Sequence, residues 1–278
     1  MTITFPSSKA TGVALPKSDL TLVVPCYNEE RRLNCQQFIE FVDTVPRVHI
    51  LFVNDGSKDN TLSVLHALQM ERPLRFSVLD IPENGGKSEA VRAGLVSAIE
   101  DGAELVAYWD ADLATPLELV EDFLRIADRH ADMEVIFGSR RRMLGHRVER
   151  TISRRMVSSI CAGLARVAIG IPVADTQCGA KLLRVTPALK SAIATPFSAG
   201  WLFDVELFAR ISHVGGTKRF YELPLSEWSE IPGSKVSGGD IVRSGLCMLR
   251  LILEMRIGEP MSAHHKRIVA PGDFQEAV

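Results

Sequence analysis

The stretch LVAYWDADLATPLELVEDFLRI, residues 105–126, indicates the fold more clearly than any other part of the chain. A short apolar run, LVAYW (105–109), ends in two carboxylates two residues apart, Asp110 and Asp112. Apolar residues then recur at helical spacing near 117–130. A buried strand that leads through a polar loop into a helix is the repeating unit of a parallel α/β sheet.

The same unit recurs through the N-terminal half of the chain. Apolar runs predict further strands at 20–24, 49–53, 75–80 and 133–137, and helical spacing is found near 30–43, 60–71 and 87–100. This alternation predicts an α/β fold, a mostly parallel central sheet with helices on both faces. The segments PCYNEE, NDGSKDNT, DADLATP and GSRRR each follow a predicted strand. Ligands of such sheets bind at the carboxyl ends of the strands, so we expect these segments to form one site.

The alternation weakens beyond residue 139. WLFDVELFARI (201–211) has helical spacing, KRFYELPLSEW (218–228) is a strand candidate, and 241–256 predicts a helix with arginines along it. We therefore divide the chain into a flexible segment 1–19, an α/β domain 20–235, and a C-terminal amphipathic helix and tail 236–278.

Composition excludes several classes of protein. The 278 residues are 46% apolar and 24% charged with a net charge of −2, so the chain can bury a large core and nothing suggests a nucleic-acid partner. Five cysteines without a CxxC spacing favour reduced thiols in a cytoplasmic protein. The first nineteen residues lack the apolar core of a signal peptide, and no uncharged apolar run predicts a membrane span. Peripheral attachment to a membrane remains open.

The acidic pair suggests a metal site. Asp110 and Asp112 could present oxygens to one Mg²⁺ or Mn²⁺ that also bridges to substrate phosphates, or they could be two solvated loop acids. Gly85 and Gly86, with Lys87 and the free N–H groups of a helix start, suit a diphosphate, although a turn beside a solvated lysine is the alternative.

The other strand ends carry further candidates. Asn28 and Glu29 could accept hydrogen bonds from a base or sugar, or only cap a helix, and Asp55 could accept a ring N–H or only shape a turn. Arg140 would suit a phosphate, because arginine presents a fixed charged fork, although the arginine cluster that it begins could instead be a solvated helix face. Asp175 could act as a base, bind a sugar hydroxyl group or only belong to a buried turn. The neighbouring Gln177, with Trp201 and Asp204, could contact a sugar, or the helix that carries Trp201 and Asp204 could only pack into the core.

Seven segments of the chain together resemble the motifs of family 2 glycosyltransferases with the GT-A fold. In chain order they are VPCYNEE, VNDGSKDNT, NGGKSEAVRAG, DADLATP, GSR, DTQCGAK and WLFDVEL. Within that family the chain looks most like the dolichyl-phosphate β-glucosyltransferases and other polyprenyl-phosphate glycosyltransferases. The likeness extends over roughly residues 20–255. It implies a GT-A, Rossmann-like sheet with a C-terminal helical extension.

The resemblance also implies a role for each matching position. The metal would be held by Asp112 with Asp110. The acceptor phosphate and the leaving diphosphate would be held by Arg140 with Arg154 or Arg155. The nucleotide sugar would be surrounded by Pro25, Tyr27, Asn28, Glu29, Asp55, Lys87 and Asp110. The related mannosyltransferases carry DADLQ-P, where the glutamine is a further metal ligand, whereas this chain has Ala114 at that place. The DAD-x-AT form is that of the glucosyl branch.

The function that we expect is an inverting, Mg²⁺- or Mn²⁺-dependent transfer of a hexose, from UDP-glucose, to a polyprenyl phosphate at the cytoplasmic face of a membrane. A phosphate monoester is largely dianionic at neutral pH, because its second pKa is about 6, so it needs no strong general base. Two alternatives stay open: a saccharide or other soluble acceptor with Asp175 as base, and a nucleotide-sugar-binding regulatory protein without turnover.

Overall fold

The computed structural model describes residues 19–141, 143–148, 173–216 and 218–229, together with 162–163, 166, 170, 245–247 and 250. Its strands are β1 (Leu20–Cys26), β2 (Val48–Asp55), β3 (Phe76–Ile81), β4 (Leu105–Trp109), β5 (Val135–Ser139), β6 (Arg147–Val148), β7 (Ala180–Arg184), β8 (Phe220–Pro224) and β9 (Glu227–Trp228). Its α-helices are α1 (Cys35–Thr44), α2 (Thr61–Glu71), α3 (Lys87–Glu100), α4 (Val120–Arg129), α5 (Pro187–Ile193) and α6 (Phe203–Gly215). Short 3₁₀ turns at Leu117–Leu119 and Gly200–Leu202 lead into α4 and α6.

Seven strands form the central sheet in the order β3-β2-β1-β4-β7-β5-β8. Neighbouring strands are parallel except at β7, which runs antiparallel to both β4 and β5. The short strands β6 and β9 pair separately, with Arg147 opposite Glu227 and Val148 opposite Trp228. The carboxyl ends of β1, β2 and β4 therefore lie side by side at one edge of the sheet.

Two hydrophobic clusters cover the two faces of the sheet, because successive side chains of a strand point in opposite directions. Trp109 belongs to one cluster, with residues of α1, α2 and α4, and its neighbour Tyr108 belongs to the other, with residues of α3, α5 and α6. Aromatic rings meet at 5.3 Å between Trp109 and Phe123 and at 5.0 Å between Phe137 and Phe208. The sheet is thus buried on both faces, as parallel sheets are.

The predicted fold class is confirmed, and each predicted strand and helix of the N-terminal half is present within a few residues of its expected bounds. Sequence patterns did not predict β7 or α5. β7 reads AKLLR, and its central Lys181 is buried, so neither alternation nor an uninterrupted apolar run marks this strand.

The C-terminal predictions lie largely outside the described residues. The positions 245–247 and 250 are helical, as the predicted helix 241–256 requires, and the domain limits proposed above stay predictions. No helix of the described part of the chain is long and apolar enough to cross a membrane. Four cysteines, Cys26, Cys35, Cys178 and Cys247, are not in disulfides.

Candidate active site

The loops after β1 and β2 are tied together at the carboxyl edge of the sheet. Asn28 has a φ of 51°, a left-handed conformation that asparagine tolerates. Its backbone N–H donates to Ser57 Oγ at 3.0 Å, and its Oδ1 accepts from the backbone N–H of Lys58 at 2.8 Å. The N–H of Glu29 donates to Thr61 Oγ1 at 2.8 Å. The side-chain oxygen of Asn28, predicted to contact a base or sugar, is therefore used to join the two loops.

Asp55, the last residue of β2, holds the glycine loop that precedes α3. Its carboxylate accepts hydrogen bonds from the N–H groups of Gly85 at 2.8 Å and Gly86 at 3.0 Å, and from Asn84 Nδ2 at 3.0 Å. A side chain at Gly56 would lie 2.5 Å from the backbone nitrogen of Asn84, so only glycine permits this approach. Burial raises the pKa of the Asp55 carboxyl, and the two glycine N–H groups partly offset that effect.

These contacts correct one prediction. The N–H groups of Gly85 and Gly86, in the loop that we expected a diphosphate to approach, are both bonded to Asp55, so only the N–H groups of the first turn of α3 are left for an anion. The Asp55 carboxylate is only 2% exposed and already accepts three hydrogen bonds, so it acts on the loop rather than presenting a free group to a nucleoside.

The acidic pair after β4 is compensated by two cations. Lys87, the first residue of α3, bonds through Nζ to Asp110 Oδ1. Arg32 Nη2 lies 3.5 Å from Asp112 Oδ2, and Asp112 Oδ1 also accepts from the N–H of Ala114 at 3.1 Å. Asp110 is 32% exposed and Asp112 is 26% exposed. The carboxylates therefore remain open to solvent while each is paired with a side-chain cation.

The pKa values of Asp112 and Lys87 reflect the charges of these paired acids and cations. Burial, and then the neighbouring Asp110, raise the pKa of the Asp112 carboxyl, although Ala114, Lys87 and Arg32 act in the opposite direction. Burial alone would lower the pKa of Lys87, but the carboxylates around it outweigh burial and raise the pKa. Lys87 therefore stays cationic at neutral pH, and the site has a carboxyl group whose ionised form is disfavoured.

The position of Asp110 depends on a glycine from a different part of the chain. A Cβ atom at Gly179 would lie 1.9 Å from Asp110 Oδ2, so the carboxylate packs directly against the Gly179 backbone. Two carboxylates with adjacent open space are a donor set that Mg²⁺ or Mn²⁺ accepts when phosphates and water complete its coordination. The described residues contain no cluster of three or more histidine, cysteine or acidic side chains for a metal. The residues present thus fit a cation that is shared with a phosphate ligand.

Arg140 and Asp175 form a nearly buried ion pair. Arg140 donates from Nε to Asp175 Oδ2 at 2.6 Å, from Nη2 to Oδ1 at 2.9 Å, and from its backbone N–H to Oδ2 at 3.1 Å. The guanidinium also lies 5.3 Å from the ring centre of Trp228, and Asp175 Oδ1 accepts from the N–H of Gln177 at 3.1 Å. Burial alone would lower the pKa of Arg140, but Asp175 outweighs it, so the guanidinium is firmly charged.

This pair argues against Asp175 as a base and limits how Arg140 could bind a phosphate. Asp175 is 3% exposed and its carboxylate accepts four hydrogen bonds, so it is not a free general base. The fork of Arg140 is directed at Asp175, so only the Nη1 side of the guanidinium could reach a phosphate.

Asp204 does not face the open edge as a sugar contact should. It is buried, and its Oδ1 lies 2.7 Å from Lys181 Nζ and accepts from the hydroxyl of Tyr108 at 2.5 Å. Lys181 is also buried, 5.0 Å from the centre of the Tyr108 ring. Burial, and then the Asp204 carboxylate, raise the pKa of Tyr108, which therefore remains a hydrogen-bond donor. This network joins β4, β7 and α6 behind the acidic pair, so Asp204 has a structural role.

The remaining predicted residues have varied surroundings. Gln177 is half-buried, and its Nε2 atom has no hydrogen-bond partner among the described residues. Trp201 is half-buried against the cluster that contains Tyr108, and Pro25 and Tyr27 are half-buried beside the first loop. Arg154 and Arg155 lie outside the described residues, so their role at an acceptor phosphate stays a prediction.

Two residues of this edge were missed from the sequence: Arg32 and Gly179. Arg32 follows Glu29, Glu30 and Arg31 and looks like an ordinary surface cation, and Gly179 lies within the segment DTQCGAK, which was singled out only for its polar residues. The spacing of Gly179 from Asp110 along the chain carries no signal, because antiparallel pairing of β4 with β7 creates the contact.

Comparison with known proteins agrees with this geometry. The sequence model of glycosyl transferase family 2 matches residues 21–190, which is well over half of the chain. A dolichyl-phosphate β-glucosyltransferase of Trichomonas vaginalis is 31% identical over 86% of this chain and 74% of its own length. A polyprenol monophosphomannose synthase of Mycolicibacterium smegmatis is 29% identical over 81% of this chain and 84% of its own length.

A solved structure shares the fold. The glucosyl-3-phosphoglycerate synthase of Mycobacterium tuberculosis, crystallised with Mn²⁺, UDP and phosphoglyceric acid, superposes with a TM-score of 0.61 over 90% of this chain and 82% of its own, at 18% identity. The sheet with its single antiparallel strand is therefore the GT-A fold. The chain belongs to glycosyltransferase family 2 and is a glycosyltransferase.

Proposed function

We infer that this glycosyltransferase moves a hexose, glucose from UDP-glucose, onto the phosphate of a polyprenyl phosphate with inversion at the anomeric carbon. The observation that carries the proposal is the pair Asp110 and Asp112, both partly exposed and each paired with one side-chain cation at the sheet edge. The lipid acceptor is supported by the relatives, which are named for transfer to dolichyl phosphate and to a polyprenol phosphate.

Asp110 and Asp112 would hold Mg²⁺ or Mn²⁺. When bound, the cation would neutralise the charge that develops on the diphosphate as it leaves the sugar. The fold neighbour contains Mn²⁺ and UDP, but the assignment here rests on the two hard oxygen donors and on the close packing of Asp110 against Gly179. Ala114 stands where the mannosyl enzymes have a glutamine, so water and phosphate oxygens would supply the remaining contacts.

Lys87 is placed to serve the same diphosphate. It begins α3, where the backbone N–H groups favour an anion, and its ammonium lies on the same side of the acidic pair. A diphosphate that approached Asp110 and its cation would give Lys87 a new anionic partner. Asp55 would contribute indirectly, because it fixes the glycine loop that precedes Lys87.

A phosphate acceptor agrees with the absence of a free base among the described residues nearest Arg140. One acceptor oxygen would attack the anomeric carbon, the new carbon–oxygen bond would form as the bond to the diphosphate breaks, and the diphosphate would leave with the electron pair. No proton needs to be removed, because the acceptor is already largely dianionic. Asp175, fixed by Arg140, would orient the guanidinium rather than take a proton. Positioning and charge neutralisation would then supply the catalysis.

A lipid acceptor would place the active site at a membrane surface, and we propose the cytoplasmic face. The arginine-rich segment 140–155, which follows β5 in the sequence, is our candidate for binding the lipid phosphate.

The proposal is tested by screening nucleotide sugars. UDP-glucose, GDP-mannose and UDP-N-acetylglucosamine are each offered with a polyprenyl phosphate or a free sugar, with Mg²⁺, Mn²⁺ or EDTA, and released nucleotide diphosphate is measured. We expect release with UDP-glucose and the lipid phosphate, and none with EDTA. Release with another sugar would correct the donor, release with the free sugar would correct the acceptor, and release in EDTA would contradict the metal. The anomeric configuration of the product tests inversion.

A further inference from the structure

An exposed apolar pair lies at the tip of the turn between β5 and β6. The Leu144 side chain is fully exposed, at 104% of its reference area, and that of Met143 is 50% exposed. Single exposed apolar residues are common on proteins, but two adjacent ones at the tip of a turn form a small protruding apolar surface. We refer to Met143 and Leu144 as the apolar tip.

Hydrogen bonds fix the turn that carries the apolar tip. The N–H of His146 donates to the carbonyl oxygen of Met143 at 3.1 Å, and Gly145 has a φ of 83°, which favours glycine. The His146 ring Nδ1 lies 2.8 Å from the carbonyl oxygen of Leu225, and the N–H of Arg147 donates to the carbonyl oxygen of Ser226 at 2.8 Å. These hydrogen bonds hold the turn while the Leu144 side chain is fully exposed to solvent.

The turn is anchored to the same edge as the acidic pair. The segment that holds it, from β8 to β9, donates from Leu225 N–H to the carbonyl oxygen of Ser139 at 3.0 Å and from Ser229 N–H to that of Ala114 at 3.0 Å. Ala114 belongs to the loop of Asp110 and Asp112, so these two hydrogen bonds tie the segment that holds the tip to the strand end beside Arg140 and to the loop of the proposed metal ligands.

Charge around the tip indicates the kind of surface that it would meet. Arg141 and Arg147, on either side of the tip, are both exposed, and Glu227 opposite Arg147 is the exposed acid across the β6–β9 pair. In sequence, residues 140–155 contain seven arginines and one glutamate. An apolar tip flanked by cations matches the interface of an anionic bilayer, where apolar side chains enter the acyl boundary and arginines remain at the headgroups.

We propose that Met143 and Leu144 insert into the interface of an anionic lipid bilayer and dock the carboxyl edge of the sheet against the membrane. Arg141 and Arg147 bind the headgroup phosphates, and the site that holds Asp110 and Asp112 then faces the layer in which a lipid phosphate resides. This inference extends the proposed function and rests on it for the acceptor, but the docking itself can be tested without transfer.

The test is cosedimentation of the full chain with phosphatidylcholine vesicles that contain no anionic lipid or about one third phosphatidylglycerol. The variant Met143→Ser/Leu144→Ser should bind the anionic vesicles at least about tenfold more weakly than the parent, because burial of a fully exposed leucine is worth about that factor. Met70→Ser is the matched control, since Met70 is 83% exposed at the end of α2 and far from this edge in the topology. It should bind like the parent.

Several outcomes would overturn the inference: no binding by the parent protein, equal binding by the double variant, or a dimeric parent that becomes monomeric in the double variant without vesicles. Activity on a short, water-soluble isoprenyl phosphate separates this inference from the proposed function. If the double variant retains that activity and loses vesicle binding, both stand. Vesicle binding without transfer to any lipid phosphate would remove the proposed function and leave the docking surface.

Discussion

Lys87 and a divalent cation would compete for the same carboxylate. The Lys87 ammonium is bonded to Asp110 Oδ1, and a cation bound at that oxygen would lie within about 4–5 Å of it. Lys87 is 44% exposed and Asp110 is 32% exposed, so the relevant dielectric is close to that of water. The repulsion between charges of +1 and +2 at that distance is then about 2 kcal/mol, or about 1 kcal/mol after screening by salt.

The replacement Lys87→Met removes this competitor while keeping a similar length and an apolar stem. We expect the variant to bind Mn²⁺ alone about five- to thirtyfold more tightly than the parent, which is the factor that 1–2 kcal/mol gives. UDP in the presence of saturating Mn²⁺ should instead bind about tenfold or more weakly, because a charge-assisted contact to the diphosphate is lost. Metal and nucleotide would thus bind cooperatively in the parent and less cooperatively in the variant.

Both affinities are measured by titration calorimetry, and free Mn²⁺ is followed independently by its paramagnetic resonance signal. Lys58→Met is the control, because Lys58 is an exposed lysine in a loop of the same edge. If Lys87→Met binds Mn²⁺ alone no more tightly than the parent does, Lys87 does not occupy the position of the cation. If Lys58→Met also binds Mn²⁺ more tightly than the parent, to the same extent, the effect on Mn²⁺ affinity comes only from the overall charge of the protein.

The remaining predictions concern the residues around the two predicted phosphate sites. Asp112→Asn should abolish Mn²⁺ binding in calorimetry and raise the thermal midpoint at neutral pH, since burial and Asp110 raise the pKa of this carboxyl and its ionised form opposes folding. The stability that the protonated Asp112 carboxyl contributes is present below its ordinary pKa of about 4 and is lost as the pH rises through its raised pKa in the folded protein. The difference in thermal midpoint between Asp112→Asn and the parent should therefore vanish toward low pH. A variant less stable than the parent at pH 7 would contradict this reasoning. Gly179→Ala should weaken Mn²⁺ binding without loss of circular-dichroism signal, because its Cβ would lie 1.9 Å from Asp110 Oδ2, and an unchanged affinity would mean that the carboxylate can move aside. Arg140→Ala should lower the free energy of unfolding in urea by about 3–5 kcal/mol, because it leaves Asp175 buried without its cation, and Arg140→Ala/Asp175→Ala should recover part of that loss; a double variant no more stable than the single one would show that the pair itself is not the cause.

The arrangement of the sheet could be predicted because it is encoded locally. Apolar runs marked β1 to β5, helical spacing marked the helices between them, and the rule for parallel sheets then placed the strand ends at one edge. The same logic failed at β7, where the fully buried Lys181 interrupts the apolar pattern. That lysine is acceptable in the core because its ammonium pairs with Asp204, donates to the carbonyl oxygen of Cys178 and lies over the Tyr108 ring, and both Asp204 and Tyr108 come from distant parts of the sequence.

Partners of individual charges could not be predicted in the same way. The edge brings together four acids and several cations, and sequence alone does not say which acid takes which partner. Asp55 bonds to backbone N–H groups about thirty residues away in the chain, and Asp175 bonds to Arg140 at a similar separation. Those pairings depend on distances of a few ångströms between loops, which no local pattern fixes.

These pairings separate the acids that can exchange ligands from those that cannot. Asp55 and Asp175 are almost completely buried, and their carboxylates are satisfied by the protein, so removing a partner would strand a buried charge at a cost of several kcal/mol. Asp110 and Asp112 are about a quarter to a third exposed and are paired with side-chain cations that water can replace at little cost. Of these four acids, we therefore expect the second pair to take a divalent cation with its phosphate ligand. The four acids look alike in sequence, and burial rather than residue type selects the two that would take part in transfer.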